Sequence, residues 1–245
     1  MSNFNSFQDV LPDPNNTIGN AGQAAGTSGP GYASVELSSD NKTMRTRTNS
    51  GRLIARAAAY HSWSVNIGYN PMTRDDFERI YTFLIHKRGS LSPFFVSLPQ
   101  YRVPRHATFA NFIGTSQASN LEAAGTTLAG ATSALIGRSN YVYTSHGTPK
   151  VGDLFNVDGA NSNHKKAYMV TRVETNADYL TGSVRPSTAQ VRIHFTPGLA
   201  KQVGAGDDFK FHNPLVKVVL ANDIQQYSLG TNGLYQFGLQ LEEVQ

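Results

Sequence analysis

Histidines and carboxylates are the side chains of this 245-residue sequence best suited to hold a metal or move a proton, and neither is spaced for that work. No two of the 7 histidines stand four residues apart, so no helix face offers a paired ligand set. His194, His212 and Asp207 could meet only if distant strands gathered them, and hydrogen-bonded or surface histidines are the plainer reading. Asp153 and Asp158 are a conceivable pair of glycosidase acids, since sequence spacing does not fix the separation of two carboxylates. They stand, however, in Gly152-Asp153 and Asp158-Gly159, where turn formation accounts for them. There is no cysteine, which excludes thiolate nucleophiles, disulfides and cysteine metal sites. No phosphate-cradling loop, nucleophile elbow, dinucleotide fingerprint or zinc-protease pattern is present. What remains is electrostatic. Lys42, Arg45 and Arg47 precede Asn49-Ser50-Gly51, Arg52 and Arg56 follow it, and no acid interrupts them after Asp40. A solvated hairpin face explains such a run, and contact with nucleic acid or an acidic protein surface is the competing reading. No aromatic side chain interleaves with the arginines, which argues against stacking of single-stranded bases.

The elements that carry these residues are mostly short strands. His61–Tyr101 is the most legible stretch. Trp63, Val65, Ile67 and Tyr69 alternate with polar or small residues as in a half-buried strand, and Asn70-Pro71 ends it. Thr73 followed by Asp76 reads as a capping box opening a helix with Phe77, Ile80, Tyr81 and Leu84 on one stripe, stopped by Gly89. Pro93–Pro99 reads as a short buried strand. Upstream, Tyr32–Leu37 is a strand leading into the basic hairpin. Residues 1–31 read as an extended arm; Phe4 and Phe7 suit docking on a neighbouring subunit, and fraying is the alternative. Residues 107–138 read as small-residue strands and loops. Tyr141–Tyr143, Gly152–Val157, Lys166–Val173, Val191–Phe195 and Asp208–Phe211 read as successive strands of a small barrel or sandwich. Leu215–Leu220 and Tyr235–Leu241 are two final strands that need a partner sheet. They are predicted to return to the Trp63–Tyr101 unit, dividing the chain into an arm (1–31), a domain of 32–104 with 214–245, and an inserted β domain (105–213).

Composition supports a mainly β chain with one convincing helix: charged residues are 16%, and turn-forming residues such as Gly (22) are plentiful. The net charge of +4 permits contact with nucleic acid without requiring it. The amino terminus has neither a basic nor an apolar signal region, and no apolar run is long enough to span a bilayer. These features, with the lack of cysteine, fit assembly in a reducing cytoplasm and no membrane anchoring.

The order of parts resembles bacteriophage minor tail proteins of the tail-tube-fold group, the distal tail and tube-initiator proteins. It is carried by the Trp63 strand, the helix Phe77-x-x-Ile80-Tyr81-x-Phe83-Leu84, Arg88-Gly89, Pro93-Phe94 and the closing Tyr-x-Phe-x-Leu-x-Leu-Glu-Glu strand, over residues 43–101 and 215–245. Gly152-Asp153, Tyr168-Met-Val170 and Ile193-x-Phe-x-Pro197 fit, more loosely, the small β-domain many such proteins carry. The resemblance implies a tail-tube-like β-sandwich or split barrel with one flanking helix, plus an inserted small β-barrel or β-sandwich. It implies a virion protein without catalysis or cofactor, forming a ring, usually a homohexamer, between tail tube and tip or baseplate. Such a ring contacts tail-tube and baseplate hub or tip proteins and passes DNA through its lumen. Phe4, Phe7, Arg45, Arg47, Arg52 and Arg56 are then the subunit-contact candidates. One feature departs from the family: tail channels tend to be acidic, so these arginines face an adjacent ring or the hairpin is not in the lumen. The major tail tube protein, a carbohydrate-binding tail module using Tyr141, Tyr143 and Tyr168, and an oligonucleotide-binding hairpin stay open as alternatives, with core packing the plainer role for the tyrosines.

Overall fold

The computed structural model describes residues 10–14, 17–18, 27–114, 120–159, 166–180, 184–222 and 226–244. The chain is mainly β and divides into two compact units, residues 1–96 with 217–244, and residues 97–216. In chain order, β1 (Thr17–Ile18) and β2 (Thr27–Ser28) precede the long strands β3 (Tyr32–Arg47) and β4 (Leu53–Tyr69). Helix α1 (Arg74–Lys87) and β5 (Phe94–Ser97) follow. The second unit is built from α2 (Ala107–Ile113), β6 (Leu121–Ala123), β7 (Ser133–Gly137), α3 (Tyr143–His146), β8 (Leu154–Asp158), β9 (Ala167–Glu174), β10 (Gln190–Thr196) and β11 (Asp208–Lys210). The chain ends with β12 (Leu215–Leu220), β13 (Ser228–Leu229), β14 (Tyr235–Gln236) and β15 (Gly238–Glu243).

In the first unit a five-stranded sheet runs β3-β4-β15-β12-β5. Period-two alternation decides its buried face: Val65 and Ile67 are buried, and the antiparallel register sets Leu241 and Leu239, also buried, directly beside them. The C-terminal strand therefore joins the Trp63 strand, as the apolar alternation predicts. It is not continuous over 235–241, because Tyr235 leaves that ladder to pair across the Asn70-Pro71 turn with Met72 (both N–H···O distances 2.9 Å). Helix α1 buries Phe77, Ile80, Phe83 and Leu84; Phe77 stacks on Tyr235 at 4.5 Å and Phe83 meets Phe94 edge-on at 5.4 Å. The described residues of this unit are mainly β, as the composition predicts: the five-stranded sheet, two two-stranded ribbons (β1-β2 and β13-β14) and one helix.

Two details of α1 differ from the capping pattern. The Thr73 hydroxyl donates to the Asp76 carboxylate (3.1 Å) and caps no backbone N–H. The left-handed stop begins one residue early, at Arg88 (φ 55°), whose N–H reaches Ile85 O at 3.0 Å, and Gly89 (φ 65°) continues it. The arm also departs from a solvated tail. Val10 bridges Phe95 in parallel, Leu11 N–H donates to Phe95 O (2.8 Å), and Leu11 is fully buried, so this part of the arm docks on its own β5. Gly29 N–H donates to Asp13 O, and a Cβ at Gly29 would lie 2.6 Å from the Pro12 carbonyl carbon, so only glycine permits that approach.

The second unit is a closed antiparallel barrel, β10-β7-β6-β11-β8-β9. Of the two architectures left open for 105–213, the ladder closes on itself, which leaves no strand edge. Phe155 lies 5.2–5.4 Å from Tyr168, Phe195, Phe209 and Phe211, an aromatic centre with every member at most 2% exposed. Two sequence-based assignments change here. Tyr141–Tyr143 is a turn entering α3, because the buried Tyr141 hydroxyl donates to Gly147 O (2.7 Å) and His146 Nδ1 accepts from Val142 N–H (2.9 Å). The small-residue stretch after Arg105 begins with a helix, α2, capped by the His106 side chain accepting from Phe109 N–H.

Candidate functional site

The site takes shape where β3 and β4 outrun their sheet. β15 accompanies β4 only from Ser64 to Gly68. From His61 out to Leu53, β4 has β3 as its sole ladder partner among the described residues, with Asn41 opposite His61 and Arg47 opposite Leu53. At ~3.4 Å per residue the eight steps from Leu53 to His61 make this two-stranded ribbon project roughly 27 Å. A register shift after Asn41 sets Thr43 against Ala57, a bulge that adds twist at the ribbon's root. Its tip is the Thr48–Gly51 turn expected around Asn49-Ser50-Gly51: Gly51 N–H reaches Thr48 O at 2.8 Å, and Gly51 takes φ 80°.

Alternation distributes the ribbon's side chains. Arg45 and Arg47 lie on one face with Leu53 and Ala55, opposite them in the ladder; Arg56 shares the other with Met44 and Ile54. All four of Arg45, Arg47, Arg52 and Arg56 are exposed, and so are Met44 (72%), Leu53 (55%) and Ile54 (49%). Each face thus pairs guanidinium groups with aliphatic surface, a mixture found in protein interfaces more than in a surface that only reads phosphates. Charge is segregated within the unit. Residues 41–57 carry five cations and no acid; the rest of 1–96 and 217–244 carries five cations against ten carboxylates. The arginines are legible in the sequence and their aliphatic partners are not, because Met44, Leu53 and Ile54 look like ordinary strand residues and only the fold leaves them exposed. Phe4 and Phe7, the other subunit-contact candidates, lie outside the described residues.

The residues considered for chemistry have structural partners. Asp153 is buried and accepts from Lys150 N–H (2.8 Å) and Arg105 N–H (3.3 Å), closing a turn, while Asp158 pairs with Lys210. His194 Nε2 donates to Glu174 at 2.9 Å, Asp207 accepts from Gly204 N–H at 2.7 Å, and burial with the nearby Arg102 charge lowers the His212 pKa. Among the described residues no group of three or more acids and histidines is gathered to hold a metal. Tyr141 and Tyr168 are fully buried in the barrel, so they cannot form a sugar-stacking platform with Tyr143. No helix among the described residues is long and apolar enough to cross a membrane. No known protein family model matches the chain, and no curated protein matches it.

Proposed function

We propose that this chain is a structural protein of a bacteriophage tail, assembling into a ring that joins the tail tube to the tip or baseplate and leaves a passage for DNA. The ribbon carries the reading. Two strands with no further ladder partner among the described residues are marginal in water, and this pair also exposes aliphatic side chains. A neighbouring copy of the same chain meets both needs, and its acidic body complements the five cations. The order of strand, helix, strand and returning C-terminal strand supports the tail assignment, through the resemblance alone. Arginines on both faces of the ribbon fit contact with neighbouring protein better than the lining of a DNA channel. Light scattering of the full chain at high concentration, with particle images, tests the proposal. A hexamer of this 26.6 kDa chain has a mass of about 160 kDa. A chain that stays monomeric at every concentration and is absent from assembled tails would falsify it.

A further inference from the structure

One groove of the barrel unit, about 550 Å³, is lined by two arginines, each ion-paired with a carboxylate that the fold has buried. Arg105 Nε lies 3.5 Å from Asp153 Oδ1, whose side chain is 4% exposed, and its Nη2 donates to Val151 O. Gly152 (φ 93°) lies beneath this guanidinium; a Cβ there would come within 3.3 Å of Nη2. Arg172 Nε lies 3.4 Å from Glu174 Oε1, on a side chain with no exposure. Both arginine side chains are exposed, Arg105 at 60% and Arg172 at 47%. An ion pair at Nε restrains a planar fork and leaves outer N–H groups for a ligand. Lys150, exposed, adds a third cation, and Asp178 is the one acid on the rim.

We propose that this groove binds a polysaccharide bearing sulfate or phosphate esters, with an ester oxyanion taken by Arg105 and Arg172 and Lys150 assisting. Charge-assisted bonds from preoriented forks suit an oxyanion. Val151, exposed at 54%, with half-buried Val173 beside it, supplies aliphatic wall against which the C–H face of a sugar ring can lie. No aromatic residue lines the groove, so unpaired bases have nothing to stack on, which disfavours nucleic acid. The inference is independent of ring formation.

The test uses the full chain with Arg45, Arg47, Arg52 and Arg56 all changed to Gln, so that the basic ribbon does not contribute. Titration calorimetry at fixed ionic strength compares a heparin-derived octasaccharide, inorganic sulfate and a single-stranded DNA octamer, with mass measured in parallel. The octasaccharide is expected to bind, and Lys150→Glu to weaken it about tenfold. Arg105→Lys, which keeps the charge and loses the fork, is expected to weaken it several-fold with the melting temperature retained. Thr171→Trp, which fills the groove from an exposed wall position, gives a second variant that leaves both buried pairs intact. Binding of sulfate alone, DNA binding as tight as the octasaccharide, loss of all binding with the ribbon arginines, or affinity unchanged in both Lys150→Glu and Thr171→Trp would each overturn the proposal.

Discussion

Glu174 is a fully buried acid on β9, directly opposite Arg192 in the ladder with β10 and within reach of Arg172 and His194. Burial pushes its pKa up, but the His194 hydrogen bond, a backbone bond from Leu180 and the charges of His194 and Arg172 outweigh that, and the carboxyl lies below its usual range. A depressed folded-state pKa stabilises the fold fully above the unfolded carboxylate range, and that stability is lost as pH falls through the folded value. Glu174→Gln is therefore expected to cost about 2 kcal/mol near neutrality, less than a wholly buried pair because its arginines are partly solvated. It should also flatten the acid side of the stability profile. Thermal melts from neutral to acidic pH check this, and parallel curves for the two proteins would count against it. This cluster was not legible in the sequence: Arg172 and Glu174 lie on β9, Arg192 and His194 lie on β10, and only the β9–β10 register brings the two pairs together.

Elements differ in how much of themselves they announce. Trp63, Val65, Ile67 and Tyr69 declare β4 because a strand with one buried face leaves a period-two trace. Helix α2 left none: Ala107–Ile113 is too short for a helical period, and its cap is His106, a residue type outside the usual capping set. The ribbon was legible as a hairpin, but not as one that leaves its sheet, because where β15 stops beside β4 is a tertiary fact. If the ribbon serves assembly rather than folding, replacing residues 43–57 by Asn-Gly should leave the melting temperature within about 3 °C while abolishing higher-order species. Conversely, Phe77→Ala on α1 removes the ring that stacks on Tyr235 at 4.5 Å and should cost about 3–4 kcal/mol, measured by denaturant unfolding. A large loss of stability on shortening the ribbon would show that it folds against its own chain.

At the scale of the molecule, charge is partitioned. Residues 97–216 hold eleven cations and seven carboxylates, so the chain's net +4 comes from them, while the other unit balances its basic ribbon against an acidic remainder. Association through that balance should weaken with salt, because exposed charges are screened beyond about 10 Å at 0.1 M and about 3 Å at 1 M. Sedimentation across that range should show dissociation on adding salt; a mass unchanged by salt would mean that the aliphatic contacts dominate. The sheet order also has a consequence for how such a molecule can change. The chain leaves the sheet on β5 and re-enters it on β12, the neighbouring strand, with the whole closed barrel between them. Entry and exit are thus side by side, and the barrel's own ladder takes nothing from the sheet. What lies between those two strands behaves as a cassette: it can be lengthened, exchanged or lost over evolutionary time while the sheet keeps its strand order.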